Sequence, residues 1–560
     1  MISGRFFRVF SGLALTLASV TVVADADLIL RNGRIYTVDS DSGIVEALAV
    51  ADGKVLAVGT NSEIDRLRDR DTTVIDLVGR FAMPGFNDAH VHLGNAALRT
   101  LNVDLSGTTS LEDLKDRLRT ALPGRSKGDW VYGRGWDESK WADARIPHRA
   151  DLDSVTTEHA LFLERADGHS SVLNSLALER AGIGPYTPDP AGGVIERDAE
   201  GQPTGWLKEK AADKVFAMIP EPTPDQWRDG FLRAMRHALE NGVTSVQDDT
   251  LRSPGQGETA VTALKQLREK QTLPLRVTVW LPFEAPLAEL EQWRESLGTT
   301  DRWLKAGLLK TNIDGSGGSL SAAMLEPYAS APDNKGLLLL DADTLMQMVI
   351  ERDAAGFQIG IHAIGDRANR VVLDAFAAAI DRNGRRDSRH RVEHAQFVSA
   401  ADLDRFGSLG VIASVQPSHL LTDLRWAPTL LGRERETDAY RWKSFIDSGA
   451  HVCFGTDYPV EPIDPMRGLY AAVTREFETG GPRGGWHPEE SLDVATAIAA
   501  YTLQPAFAEF EETRKGSLSV GKLADIVVLS SDPIAVSPRA LLDTRVDITI
   551  VEGNVVYRRN

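Results

Sequence analysis

Eight short apolar runs, rich in β-branched residues and separated by helical stretches, constrain this chain more than any other feature. They are Ala82 to His92, Val243 to Asp248, Leu275 to Leu281, Leu308 to Asp314, Gln358 to Ile364, Arg391 to Phe397, Val411 to Pro417 and His451 to Asp457. Helix-period segments such as Thr344 to Ala355 and Ala368 to Ile380 lie between them. Alternation of buried strands with helices signals parallel βα units, and eight such units close a (β/α)8 TIM barrel. No solenoid-period repeat or low-complexity tract competes with that reading.

The two ends have a different texture. From Asp27 to about Ala82 the chain alternates short strands with Asn32-Gly33 and Asp52-Gly53, dipeptides that suit tight hairpins. The stretches Ala524 to Leu529 and Ile548 to Tyr557, turning at Gly553-Asn554, match it. The expectation is a small β-sandwich domain built from residues 27–82 and 501–560, flanking a barrel over 83–500. About 150 residues separate His92 from Val243, far more than a βα connection needs. An inserted subdomain over about 101–220 is therefore expected, with strands at Trp130 to Gly133 and Ala160 to Leu163 and a helix from Ser171 to Ala181. Because it follows the first barrel strand, it should wall the mouth of the pocket.

Residues 1–26 read as a secretory signal peptide: Arg5 and Arg8, then an apolar run from Phe10 to Val23, then the small-x-small Ala24-Asp25-Ala26. That run is shorter than a bilayer-spanning helix requires. A periplasmic or secreted protein with no membrane anchor after cleavage is expected. Cleavage moves the formal net charge from −18 to −19, because two arginines and one aspartate leave. So acidic a chain disfavours nucleic acid and anionic membrane as partners, and favours a small-molecule substrate; a homo-oligomer stays open. The single cysteine, Cys453, sits in an apolar run, so no intrachain disulfide forms.

In a barrel the chemistry sits at the C-terminal ends of the strands. His90 and His92 close the first run; two residues apart on a strand, they point to one side and can reach one ion. Lys310 lies in the fourth run, His362 in the fifth, His394 in the sixth and Asp457 at the end of the eighth. Six such residues on one rim predict a metal site, and imidazole with carboxylate suits Zn²⁺ or a related divalent ion, one or two in number. Lys310 joins such a site only as a carbamate formed with CO₂; the alternative is an ordinary ion pair with a rim acid. Gln416 and His419 are further rim candidates; Trp136, Trp141 and Trp426 could supply an aromatic wall, with core packing or chance exposure as the commoner fate of tryptophan. The run Gly315-Ser316-Gly317-Gly318-Ser319 lacks the lysine of a phosphate loop and does not match a serine nucleophile elbow.

The H-x-H after Pro84-Gly85, Gly455-Thr456-Asp457 and the terminal Gly516 to Leu529 segment together resemble the metal-dependent amidohydrolase superfamily. Arg165 to His169, Asn174 to Leu178, Lys310 with Asp314-Gly315, and Ile361 to Asp366 are similar to its N-substituted formamide deformylase branch. That resemblance implies His90 and His92 on one metal, carboxylated Lys310 as bridge, His362 and His394 on a second, and Asp457 as ligand and catalytic base. It also implies that Asp167, Gly168, His169 and Asn174 face the substrate, the alternative being that Asp167 and His169 pin a loop by hydrogen bonds; Trp136 and His419 join the pocket candidates by position alone. The expected reaction is hydrolysis of a non-peptide C–N bond, in an amide, formamide or carbamate, by a metal-activated water. An esterase or lactonase using the same site is the first alternative, and a non-catalytic ligand-binding barrel the second.

Overall fold

The computed structural model describes residues 25–165, 170–190, 193–252 and 257–560. Residues 1–24 of the expected leader, and Asp167, Gly168 and His169, lie outside the described residues. Eight parallel strands form the central sheet: β1 Phe86–Val91, β2 Val243–Asp248, β3 Arg276–Pro282, β4 Leu304–Asn312, β5 Ile359–Ala363, β6 Arg391–His394, β7 Ile412–Val415 and β8 Val452–Phe454. They are hydrogen-bonded in that order. Val91 bridges to Tyr458 in parallel, Asp457 N donates to His90 O at 2.8 Å and His92 N to Tyr458 O at 2.7 Å, so the seam between β8 and β1 closes at the mouth. All eight predicted runs are barrel strands. The intervening helices follow their sequence cues. Pro224–Glu240 begins at a Thr223/Gln226 capping box and buries Trp227, Phe231, Met235 and Leu239 against the barrel core.

The run Ala82 to His92 divides in two. Phe81–Pro84 pairs with Ile526–Leu529 in a peripheral sheet, and β1 begins after Gly85. A Cβ on Gly85 would lie 2.3 Å from the Thr244 side chain, so only glycine lets the chain pass from one sheet into the other.

A four-stranded sheet holds Leu28–Arg31, Ala47–Ala51, Lys54–Gly59 and Thr73–Asp76; a six-stranded sheet joins Arg34–Tyr36, Ile44–Val45 and Phe81–Pro84 to the C-terminal strands Ile526–Leu529, Val546–Val551 and Asn554–Arg558. The two share one apolar core drawn from both chain ends, including Leu30, Leu48, Ile526 and Ile550. The C-terminal strands begin only at Ile526. Within 501–525, the helix Leu503–Ala508 instead packs beneath β1, β7 and β8 through Phe507 and Ala508, and Glu509 reaches Asn87 and Thr278 in the barrel floor.

The insertion has a six-stranded sheet of its own, ordered Gly193–Arg197, Pro203–Glu209, Ser170–Leu173, Ala160–Arg165, Trp130–Trp136, Val103–Asp104, with separate apolar cores on its faces. The helix expected from Ser171 to Ala181 is a correction: Ser170–Leu173 is a strand, and the helix runs only from Ser175 to Arg180. Val172 and Leu173 fill sheet positions, and Asn174 is the turn that starts the helix. No helix among the described residues is long and apolar enough to cross a membrane.

Candidate metal centre at the barrel mouth

Two groups of side chains converge where β1, β6, β7 and β8 end. The donor atoms of His90, His92 and Asp457 lie within 4.8 Å of one another, and so do those of His394, His419 and Asp457. Asp457 is the shared member. His92 Nε2 lies 3.0 Å from its Oδ1, His90 Nε2 3.5 Å from the same oxygen, and His419 Nε2 3.1 Å from its Oδ2. The backbone is bent to make this possible. His394 has φ +75° and Asp457 φ +61°, left-handed conformations that cost non-glycine residues about 1–3 kcal/mol each. His394 is the last residue of β6 and Asp457 lies three residues beyond β8, so both bends fall where the chain leaves the barrel wall at the mouth.

The outer partners orient the imidazoles. Glu393 Oε2 lies 2.7 Å from His90 Nδ1, and Gln416 Oε1 lies 2.7 Å from His394 Nδ1, with the Gln416 amide nitrogen donating to Ser414 O. In both rings Nδ1 is engaged and Nε2 is left to face the cluster. His90 Nε2 is fully buried and makes no hydrogen bond among the described residues. A buried imidazole nitrogen without a hydrogen bond, aimed at a carboxylate and close to two further histidines, fits a divalent cation in chemistry and placement.

Burial holds the imidazoles of His90 and His394 below the usual histidine range, His394 farther because its neighbour His362 adds to the effect. His362 is pushed to about 3 by burial and by the Lys310 charge. Neutral imidazoles are what a cation needs as ligands. For Asp457, burial would raise the carboxyl, but the surrounding His90, His419 and His92 outweigh it and hold it well below the ordinary carboxylate range.

His362 and Lys310 border the cluster, outside the two groups whose donor atoms lie within 4.8 Å of one another. His362 packs against His394 with ring centres 4.4 Å apart, while its Nε2 lies 3.1 Å from Gly315 O. Lys310 Nζ is 3.0 Å from Asn312 Oδ1 and 3.7 Å from Asp249 Oδ2. His419, expected as a pocket residue, stands beside Asp457 itself.

Asp249 and Glu393 were missed in the sequence. Asp249 follows β2 directly and lies 3.8 Å from His92 Nδ1. The signal was present: a tandem Asp248-Asp249 at the end of a buried strand. Asp248 accepts from Leu93 N at 2.7 Å and Thr250 from Gly94 N at 2.6 Å, which pins the helix that begins after His92. Asp88 latches the seam: its Oδ1 accepts from Thr456 N at 2.9 Å and its Oδ2 from Thr456 Oγ1 at 2.5 Å, so the strand ends bearing His90 and Asp457 are held together.

Two expected substrate residues are corrections. Trp136 is wholly buried in the core of the insertion, its Nε1 donating to Leu163 O at 2.9 Å, and presents no face to a pocket. Asn174 is equally buried: its Oδ1 accepts from Leu161 N and Ala177 N, and its Nδ2 donates to His159 O and Thr156 O. Every polar atom of that amide is spent on the local turn. Trp141 is also core, donating to Thr108 O. Trp426 is half-buried against Gly317, where a Cβ would come 2.8 Å from its ring, so it borders the loop after β4.

A barrel with its polar side chains gathered at the C-terminal rim and a two-ended sheet unit beside it defines a class, and the chain belongs to the amidohydrolase family, whose model matches residues 73–557. It is 34% identical over 527 residues to Protein LONG AFTER FAR-RED 3 of Arabidopsis thaliana, covering 92% of this chain and 90% of that one. It is 28% identical over 555 residues to the N-substituted formamide deformylase of Arthrobacter pascens, covering 95% and 98%. Among solved structures, an uncharacterized metal-dependent hydrolase from Pyrococcus furiosus superposes with a TM-score of 0.74 at 31% identity, over 90% of this chain and 99% of that one.

Proposed function

We propose that this protein hydrolyses a non-peptide C–N bond of a small molecule, in an amide, formamide or carbamate, with zinc or a related divalent ion at the barrel mouth. The observation that carries the reading is Asp457, a carboxylate at the end of β8 on which His90, His92 and His419 converge. His90, His92 and Asp457 would hold one ion, and His394 with His362 or His419 a second. A divalent ion there supplies Lewis acidity toward the scissile carbonyl and toward water. Asp457, ionised in its histidine surround, accepts the proton of the attacking water and returns it to the leaving nitrogen. His419, held to the other Asp457 oxygen, keeps that carboxylate turned toward the cluster. The name of the deformylase relative supports a formamide among the candidate substrates.

Carboxylation of Lys310 is part of the proposal, because it would turn a cation whose charge acts on His90, His92, His362 and His394 into an anion able to serve as a ligand. Native mass spectrometry of the intact chain should detect one added CO₂ that disappears in Lys310→Ala. Asp167, Gly168 and His169 are proposed as substrate contacts on their motif alone.

The deciding experiment is metal analysis after exhaustive dialysis, together with turnover of matched formamide, amide, carbamate and ester substrates. Amide or formamide turnover that tracks metal content supports the reading. Full activity in metal-free protein would sink it, and activity on the esters alone would shift it to an esterase. Export is proposed from Arg5, Arg8 and the apolar run that follows. N-terminal sequencing of the mature chain should find a new N-terminus near Ala26, the point from which the backbone is tied into the fold, with Ala26 N donating to Leu67 O at 2.9 Å.

A further inference from the structure

Beneath the mouth, a buried ion pair lies in the barrel interior. Arg391 and Glu393, two residues apart on β6, face inward and are both fully excluded from solvent. Arg391 Nε donates to Glu393 Oε1 at 2.7 Å, and its Nη2 to Ala89 O of β1 at 2.8 Å and to Ser414 Oγ of β7 at 2.7 Å. Its Nη1 bonds Gln247 of β2, and the guanidinium lies 5.1 Å from the centre of the Trp280 ring of β3. One arginine thus ties together β1, β2, β3, β6 and β7. The second carboxylate oxygen, Oε2, accepts from Arg391 Nη2 at 3.2 Å and is also aimed upward at His90 Nδ1, and Trp280 packs edge-on against the His90 ring.

This arrangement settles a chemical question that distances alone leave open. Glu393, ion-paired to Arg391, is a carboxylate and can only accept, so His90 Nδ1 must donate and His90 Nε2 must carry the lone pair. Resting on the metal-dependent reading of the site, we infer that Glu393, braced by Arg391, is a positioning residue that fixes the tautomer and orientation of His90 before any ion binds. The ligand geometry of the first histidine is then set from below by the barrel interior, not by the ion. A carboxylate behind a ligating histidine contributes about 10–100-fold to metal affinity.

Glu393→Gln tests it. The amide has one acceptor oxygen where the carboxylate has two, so its N–H₂ must face either Arg391 Nε, a donor it cannot accept from, or His90 Nδ1, where it would force the proton onto Nε2. Zinc affinity, read by competition with a chromogenic chelator, should fall about 10–100-fold in Glu393→Gln. It should stay within about twofold of wild type in Glu509→Gln, which removes an equally buried carboxylate from the barrel floor. Independently, ¹⁵N shifts of histidine-labelled, metal-free wild type, with His90 assigned by its loss in His90→Asn, should show the Nδ1–H tautomer. A wild-type His90 protonated on Nε2, or equal zinc affinity in folded Glu393→Gln, overturns the positioning role while zinc binding itself survives. Wild-type protein that takes up no zinc, yet has His90 protonated on Nδ1, would instead overturn the proposed function.

Discussion

At the scale of single residues, identity and placement carry different information. Asp457 combines a left-handed backbone, burial and three imidazole neighbours, and Asp457→Asn keeps the shape while removing the base. Its kcat is expected to fall by about 10²–10⁴, with the thermal unfolding midpoint nearly unchanged; turnover and calorimetry on the same preparation check both. Trp136 should behave in the opposite way. Trp136→Ala opens a cavity in the core of the insertion and should cost about 3–5 kcal/mol by denaturant unfolding, leaving KM for any accepted substrate within about twofold. A large KM effect without destabilisation would return Trp136 to the pocket. His90, His92 and Asp457 were legible because spacing on a strand and position at its end dictate direction. Trp136 and Asn174 were misread because a motif says which residues occur together, while burial decides whether they meet a ligand or one another.

At the scale of elements, the barrel strands were legible because each is a continuous apolar run, and the helices because their caps and periodicity agree. The second half of the active rim is less so. His419 reaches Asp457 only because the chain turns into a short helix after β7, and no periodic pattern announces that turn. The floor below the strands was also hidden. Glu509, on the segment after Leu503–Ala508, bonds Asn87 and Thr278 and pairs with Lys515 at 2.7 Å. Burial alone would raise its carboxyl, but the Lys515 and Lys305 charges outweigh that and hold it at about 2. A depressed carboxylate contributes stability above the ordinary glutamate range and loses it as pH falls through its folded value. Wild type should therefore lose stability between about pH 4.5 and pH 2, while Glu509→Gln is less stable at neutral pH and shows a shallower loss across that window. Unfolding midpoints measured at a series of pH values read both slopes, and parallel curves would show that Glu509 is not a principal contributor.

At the scale of the whole molecule, the two chain ends are one structural unit. Phe81–Pro84, the strand that leads into β1, is paired on one side with Ile526–Leu529. A chain ending at Lys515 would leave that strand edge and the core around Leu30 and Leu48 open, so it is expected to aggregate, as solubility and size-exclusion profiles would reveal. A soluble, monodisperse truncation would show that the barrel stands without its C-terminal sheet. The sequence by itself determined the eight-strand barrel, the pairing of sheet-like ends, a large insertion after the first strand, and the histidine pair with Asp457, because each rests on local periodicity, turn chemistry or position along a strand. Only the tertiary structure decided that His419 stands at Asp457, that Trp136 and Asn174 belong to a core, and that Glu393 sits under His90. Those contacts join residues far apart in the chain, and their distances depend on barrel closure, side-chain direction and burial, none of which a local pattern encodes.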